Sequence, residues 1–417
     1  MRRCDLRRRR AWWRWLTASR YLALVLTAIV TGTRAAVAAP AGYGVEAGPF
    51  RVYPELGVDF IYESNYFRTG EDGGADEATW TNVLTPGLWL SALKGADSYE
   101  LSYLATIGTV FSSSDDNYVN HAVNANGSWE LGLRHRIWAQ YEFIHSYDRR
   151  GTGDPGEVSR DNFTDEDPDV WQSNRVQLGY SFGSPGAKGR LDLTGGMAWR
   201  RYLNNDQEPR DNDRLLLDAT YFWRVRPKTS LLFDVNWQDV HYVDQVPGST
   251  ILDSQEWRLY TGATWDATAK TSGTIKLGYV AKDFESALYE DYSSFGWEAG
   301  VQWRPRTYSM VNLVTARNPM ESAVEGADAV VVSSLAADWV HSWKSYLRSR
   351  LSAFASNDEY LGEDRTDHRY RLGAGVFYQP DRRIELGAEY RYETRTSEVA
   401  LDEYNNNVLM LTLDARY

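Results

Sequence analysis

Over most of this chain apolar and polar residues take turns, one for one. In "QEWRLYTGATW" Trp257, Leu259, Thr261, Ala263 and Trp265 share a parity, opposed by Arg258, Tyr260, Gly262 and Thr264. "FGWEAGVQWR" sets Phe295, Trp297, Ala299, Val301 and Trp303 against Gly296, Glu298, Gly300, Gln302 and Arg304. "RRIELGAEYRYE" sets Ile384, Leu386, Ala388, Tyr390 and Tyr392 against Arg383, Glu385, Gly387, Glu389 and Arg391. A period of two belongs to a strand with two unlike faces. Read this way, residues 51–417 divide into eighteen segments. They lie near 51–64, 79–93, 98–111, 118–133, 136–149, 170–183, 189–203, 212–225, 228–242, 252–266, 271–284, 291–304, 308–318, 328–342, 345–357, 367–379, 383–396 and 404–417. Strands of ordinary globular domains average about five or six residues. These are twice as long and match what a tilted strand needs to cross a bilayer.

The connections alternate in length. "KGAD" (94–97), "RH" (134–135), "SPGAK" (184–188), "RP" (226–227), "ATAK" (267–270), "PRT" (305–307), "WK" (343–344) and "PDR" (380–382) are short. Longer ones fall between them, such as "YFRTGEDGGADEA" and the stretch from Arg150 to Asp169. Short turns on one rim and long loops on the other describe an outer-membrane barrel. The rims also differ in charge. Lys94, Lys188, Lys228, Lys270 and Lys344, five of the seven lysines, sit in the short turns, whereas Arg150–Asp169 holds seven carboxylates and two arginines.

One face of each segment is simple and lipid-like, and the other mixes glycine with both signs of charge. Trp257 and Trp265 are eight residues apart. At about 3.3 Å per residue and a tilt near 40°, that spans roughly 20 Å of membrane height. Trp257, Trp265, Trp297 and Trp303 are thus predicted to belong to the aromatic girdles that mark the edges of the apolar band. A soluble propeller or sandwich is the competing architecture. Propeller blades use shorter strands with recurring motifs, and a sandwich does not call for eighteen long strands with alternating loops. The prediction is an all-β fold, a single transmembrane antiparallel barrel of about 18 strands with 16 as the alternative. The closing stretch "NNVLMLTLDARY" places Leu409, Leu411, Leu413, Ala415 and Tyr417 on one parity. It is expected to pair with the first strand, with Leu411, Leu413, Ala415 and Tyr417 serving as an assembly signal.

The beginning of the chain reads differently. Eight arginines in the first twenty residues precede "YLALVLTAIVTG" and then the small residues "RAAVAAPAG". This is the layout of a secretory leader, too short in its apolar run to span a bilayer. Cleavage is expected near Ala39, giving a signal peptide at 1–39, a periplasmic segment at 40–50 and a barrel at 51–417. Cys4, the one cysteine, lies in the leader, so the exported chain is expected to lack disulfides and thiolate chemistry. Without the leader the net charge falls to −20. That balance argues against a nucleic-acid partner, which requires a basic surface.

"RVYPELGVDFIYESNYFRTG" is similar to the opening of a family of outer-membrane β-barrel porins associated with exopolysaccharide gene clusters. Its Tyr-acid-x-Asn-x-Phe-Arg element falls here on Tyr62, Glu63, Asn65, Phe67 and Arg68. "NVLTPGLWLS", "DSYELSYLA", "TGATWDATAKTSGTIKLGYVAKDF", "QWRPRT" and "HRYRLGAGVFYQPDRRIELGAEYRYE" carry the resemblance along the mature chain. It implies a barrel that helps secreted polysaccharide across the outer membrane. The implied partners are lipid and lipopolysaccharide, the barrel-assembly machinery, a polysaccharide substrate and a periplasmic polysaccharide-export protein. The long "GTGDPGEVSRDNFTDEDPD" loop departs from the pattern.

Eighteen strands about 4.8 Å apart and tilted near 40° enclose a backbone cylinder roughly 35 Å across, a size that usually holds an aqueous channel. The polar parity names the candidate lumen residues: Arg175, Arg190, Asp192, Arg200, Arg214, Asp218, Arg224, Asp234, Arg258, Glu298, Arg304, Arg369, Arg371, Glu385, Glu389 and Arg391. Arginine binds carboxylates bidentately, and Tyr260 or Phe377 offers a ring for sugar faces. Against this stands the plain reading that the charges pair along the wall and merely keep it wet. Arg200, Arg214, Arg369 and Arg371 are the set expected to handle an anionic polymer together. A diffusion porin, a structural surface barrel and an outer-membrane hydrolase are the rival functions. For hydrolysis the one acid–histidine neighbour pair is Asp367–His368, beside "NDEYLGEDRT", and neighbours on a strand point to opposite faces. No cofactor is expected: the exported chain has no thiolate, no His-x₃-His pair and no Gly-rich phosphate loop.

Overall fold

The computed structural model describes residues 44–70, 77–151, 167–184, 186–243, 252–268, 270–322 and 326–417. The predicted leader lies outside them, as does most of the acidic 150–169 loop. Nineteen strands are present among the described residues. They are β1 (Val45–Ala47), β2 (Phe50–Glu63), β3 (Thr79–Lys94), β4 (Asp97–Val110), β5 (Tyr118–Glu130), β6 (His135–Asp148) and β7 (Asp169–Phe182). Next come β8 (Gly189–Tyr202), β9 (Asn212–Arg226), β10 (Thr229–Tyr242), β11 (Ser254–Thr268), β12 (Thr271–Phe284) and β13 (Tyr292–Arg306). The rest are β14 (Ser309–Glu321), β15 (Ala329–Lys344), β16 (Leu347–Leu361), β17 (Arg365–Asp381), β18 (Ile384–Thr396) and β19 (Tyr404–Arg416).

Strands β2 to β19 pair antiparallel in chain order, and β19 returns to β2 from Arg416↔Glu55 to Val408↔Glu63. The wall is therefore a closed ring of eighteen strands, not sixteen. Closure satisfies the backbone hydrogen bonds of every wall strand, which is what lets strands cross lipid at all. No helix among the described residues is long and apolar enough to cross a membrane.

Alternation decides which face points where. On β9 the exposed large side chains are Leu215, Leu217, Tyr221, Trp223 and Val225, all of one parity. On β19 they are Leu409, Leu411 and Leu413. These outward apolar faces are the ones lipid covers. Turns on one rim are tight: β3 and β4 are joined by Gly95–Ala96 alone, with Gly95 at a φ of 66° that favours glycine.

Two local departures from the sequence reading have physical causes. "NDEYLGEDRT" is not a loop: β16 and β17 continue to Tyr360↔Arg365, and only Gly362–Asp364 link them. Its acids read as loop charge, but Asp358, and Asp367 just beyond the stretch, turn inward and are neutralised by arginines. Alternation had in fact continued through it. Within the 40–50 stretch, Val45–Ala47 pairs with Phe50–Val52 along the edge of β2 that β19 uses further up. Three residues are too few to show a period. The Gly44 amide donates to the Tyr417 carbonyl at 3.3 Å, and the Tyr417 amide donates to the Pro54 carbonyl at 3.1 Å. The two chain segments meet end to end and seal the seam.

Candidate functional site

Cross-strand register carries the inward parity around the ring. Arg175 faces Ala198, which faces Arg214, and Asp218 faces Asn236, which faces Arg258. By parity the sixteen predicted lumen residues share that side of their strands. They are Arg175 on β7; Arg190, Asp192 and Arg200 on β8; Arg214, Asp218 and Arg224 on β9; Asp234 on β10 and Arg258 on β11. Glu298 and Arg304 follow on β13, Arg369 and Arg371 on β17, and Glu385, Glu389 and Arg391 on β18. Arg304 lies beside a register shift between Trp303 and Arg306.

The inner wall is not chemically uniform. On β16–β18 each inward arginine meets a carboxylate. Arg369 reaches Asp358 at 2.6 Å, Arg391 reaches Glu393 at 2.7 Å, and Arg348 reaches Glu385 at 2.6 Å. Arg365 bridges Asp367 (2.8 Å) and Asp402 (2.7 Å), Arg371 stands 3.7 Å from Glu393, and Arg350–Asp338 and Arg395–Asp367 complete the set. Arg369 is 2% exposed. It is part of the wall, which alters its expected place in a polymer-handling set. Tyr260, 4% exposed, donates to Asn318 at 3.1 Å and is likewise unavailable for stacking. Phe377 lies under the Arg348 guanidinium, 4.1 Å from ring centroid to Cζ.

At the long-loop rim the residues following β2 fold over this wall. Tyr66 and Phe67 are buried with Val110. The Asn65 side chain accepts from the Thr69 amide and donates to its carbonyl, tying the turn to itself. Asn406 of β19 accepts from the Asn65 amide at 3.0 Å. Arg68, at a left-handed φ of 52°, reaches Glu393 at 3.2 Å and Glu63 at 3.5 Å, and Arg149 reaches Glu63 at 3.0 Å. Burial opposes the charge on Arg68, but Glu393 and Glu63 outweigh it and raise its pKa above the ordinary arginine value. Burial pushes the Tyr66 phenol up to about 12. The Tyr62–Arg68 element that carried the family resemblance is thus a latch across one side of the barrel mouth, built from loop and wall together.

Reading parity alone passed over Lys276 and Lys282, the two lysines outside the short turns. Lys276 bridges Asp234 (2.7 Å) and Glu298 (3.1 Å), and Lys282, 0% exposed, meets Glu321 at 2.7 Å. The available signal was that both share the parity of Gly278, which faces Tyr260 on the inner side. His368 points outward while Asp367 points inward, so the acid–histidine pair is divided by the wall. Trp257 and Trp303 stand on the outer face, 40% and 50% exposed; Trp265 shares that face, and Trp297 donates there to Thr315 at 2.9 Å.

On β7–β9 the chemistry changes. Among the described residues Arg175, Arg200 and Arg214 form no ion pair. The Arg200 guanidinium lies 4.2 Å from the Trp171 ring centroid, and Arg214 donates from Nε to Asn212 at 2.9 Å. Trp171 donates to Asp148 at 2.7 Å, which holds the indole in place.

Several solved outer-membrane proteins are similar in fold. OccK2 (OpdF) of Pseudomonas aeruginosa matches at 10% identity over 88% of this chain and 98% of its own, with a TM-score of 0.48. OpdO of Pseudomonas aeruginosa matches at 11% over 88% and 97%, with a TM-score of 0.47. The siderophore receptor PirA of Pseudomonas aeruginosa matches at 10% over 88% and 80%, with a TM-score of 0.45. No curated protein matches the sequence. The model of one family spans residues 39–417, and with that match the chain belongs to the family described as Putative beta-barrel porin 2, a porin-like barrel of the outer membrane.

Proposed function

We propose that this barrel is a passive conduit through which a hydrated, anionic saccharide chain leaves the cell across the outer membrane. The observation that supports it most is the lumen itself. Eighteen strands make a cylinder roughly 35 Å across. Among the described residues every element is a wall strand, a rim strand or a short loop turn, with no element left over to form a plug. Its lining is polar and carries both signs, which keeps water and counter-ions in the path. A polymer in transit needs many weak contacts, since one tight site would stall it. The family resemblance read from "RVYPELGVDFIYESNYFRTG" points the same way and implies a periplasmic export protein at the short-turn rim.

Deleting the gene tests this reading. Surface polymer is expected to fall while the inner-membrane steps of its synthesis continue. A deletion strain that secretes polymer normally but loses uptake of a small solute would replace export with solute diffusion.

A further inference from the structure

Two arginine-bearing walls face each other across the lumen, and they differ in one respect. The guanidinium groups of β16–β18 are each occupied by a carboxylate of the protein. Those of Arg175, Arg200 and Arg214 are not. β8 and β17 are nine positions apart in an eighteen-strand ring, so these three arginines lie opposite the occupied wall.

We infer that Arg175, Arg200 and Arg214, with the Trp171 ring beside them, form a subsite for the carboxylate of an acidic sugar residue. The inference rests on the conduit reading and deepens it by naming the substrate class. Register brings the three together: Arg175 and Arg214 face the same residue, Ala198, from either side, and Arg200 is the next inward residue on that strand. Ala198 is small and puts only a methyl group between the two arginine positions. A guanidinium over an indole face keeps its N–H groups in its own plane; Arg200 is also within hydrogen-bond reach of the Tyr202 hydroxyl, which leaves it further N–H groups for a carboxylate. Arg214 spends only Nε on Asn212 and retains its terminal nitrogens. Asp148 is 3% exposed; it fixes Trp171 and also accepts from Tyr202 at 3.2 Å. The platform is therefore set before a ligand arrives. Two acids lie near. Glu142 faces Arg175 on β6 without an ion pair, and Asp218 sits two residues below Leu216 on the same inner parity as Arg214. They lower the local positive potential, which suits a site that must release its ligand.

The test uses the purified full barrel in planar bilayers, with trigalacturonate as the acidic probe and maltotriose as the neutral one. Trigalacturonate is expected to block ion current through the wild-type pore at a concentration at least ten-fold lower than maltotriose. The triple exchange Arg175→Gln, Arg200→Gln, Arg214→Gln is expected to abolish that preference. Heat-modifiable migration in detergent reports whether the triple variant has folded, and Arg175→Gln alone, at an exposed position, is expected to weaken block about three-fold. The triple exchange to Lys keeps the charge and removes the planar fork, and is expected to lose most of the preference too. Wild-type block in the Gln variant, or in the Lys variant, would overturn the subsite, the latter by reducing it to a diffuse field. Block in a bilayer is independent of the direction of transport. Normal polymer secretion by a deletion strain would therefore discard export while leaving the subsite standing.

Discussion

Tyr66 illustrates how much a single buried group controls at the mouth. Its ring is wholly covered, yet its hydroxyl has no hydrogen-bond partner among the described residues. The phenol ionises near 10 in water and at about 12 in the closed latch. Its protonated form thus contributes fully below pH 10, and that contribution is lost as the pH climbs through 12. Two pKa units correspond to about 3 kcal/mol at the alkaline end. Tyr66→Phe removes an unsatisfied hydroxyl at little cost. The variant is expected to keep wild-type heat-modifiable migration and to lose one slow tyrosinate transition between pH 10 and 12. An unchanged alkaline titration would show that the latch does not bury this ring. Gly278 is a second position where one atom decides. A Cβ there would come within 1.8 Å of the Leu259 carbonyl oxygen on the neighbouring strand. Backbone cannot step aside as a side chain does, so Gly278→Ala is expected to cost about 1–3 kcal/mol, read as a lower temperature for loss of the compact band in unheated gels.

Strands are the level at which this sequence is most legible. Lipid imposes a strict rule on one face, so alternation through "QEWRLYTGATW" gives the outward Trp257 and Leu259 directly. The same rule makes adjacent substitutions on β19 behave oppositely. Leu411 is exposed on the outer face, and Met410 faces Glu389 on the inner one. Leu411→Arg is expected to cost about 2–4 kcal/mol near the membrane midplane and to reduce outer-membrane levels. Met410→Arg, one residue away, places its charge beside a carboxylate and is expected to assemble normally. Equal losses from both would contradict the assigned faces. What alternation does not convey is which inward charges are spent. Arg369 and Arg200 both take the inward parity of their strands, each in a stretch rich in arginine and tyrosine. Only the fold reveals that Asp358 meets Arg369, while Arg200 is left against Trp171. The latch was hidden for a similar reason: Asn65 and Arg68 act through Asn406 and Glu393, more than three hundred residues away.

At the scale of the whole barrel the two rims define an orientation. Tight turns such as Gly95–Ala96 occupy one rim together with most of the lysines, and the long connections occupy the other. In barrels of this class the short turns face the periplasm, the side from which the proposed saccharide chain would enter. Ala96 and Leu288 mark the two rims well. Ala96 is exposed in a two-residue turn, and Leu288, 78% exposed, lies between β12 and β13 on the opposite side. Cys4 is the single cysteine, so a Cys4→Ser background gives a clean chemical readout. In intact cells a membrane-impermeant maleimide is expected to label Leu288→Cys and to spare Ala96→Cys. Permeabilising the outer membrane should then expose Ala96→Cys to the reagent. Labelling of Ala96→Cys in intact cells, with Leu288→Cys protected, would invert the barrel. The latch of Tyr66 and Arg68 would then guard the periplasmic mouth, and the proposed saccharide chain would meet it on entry.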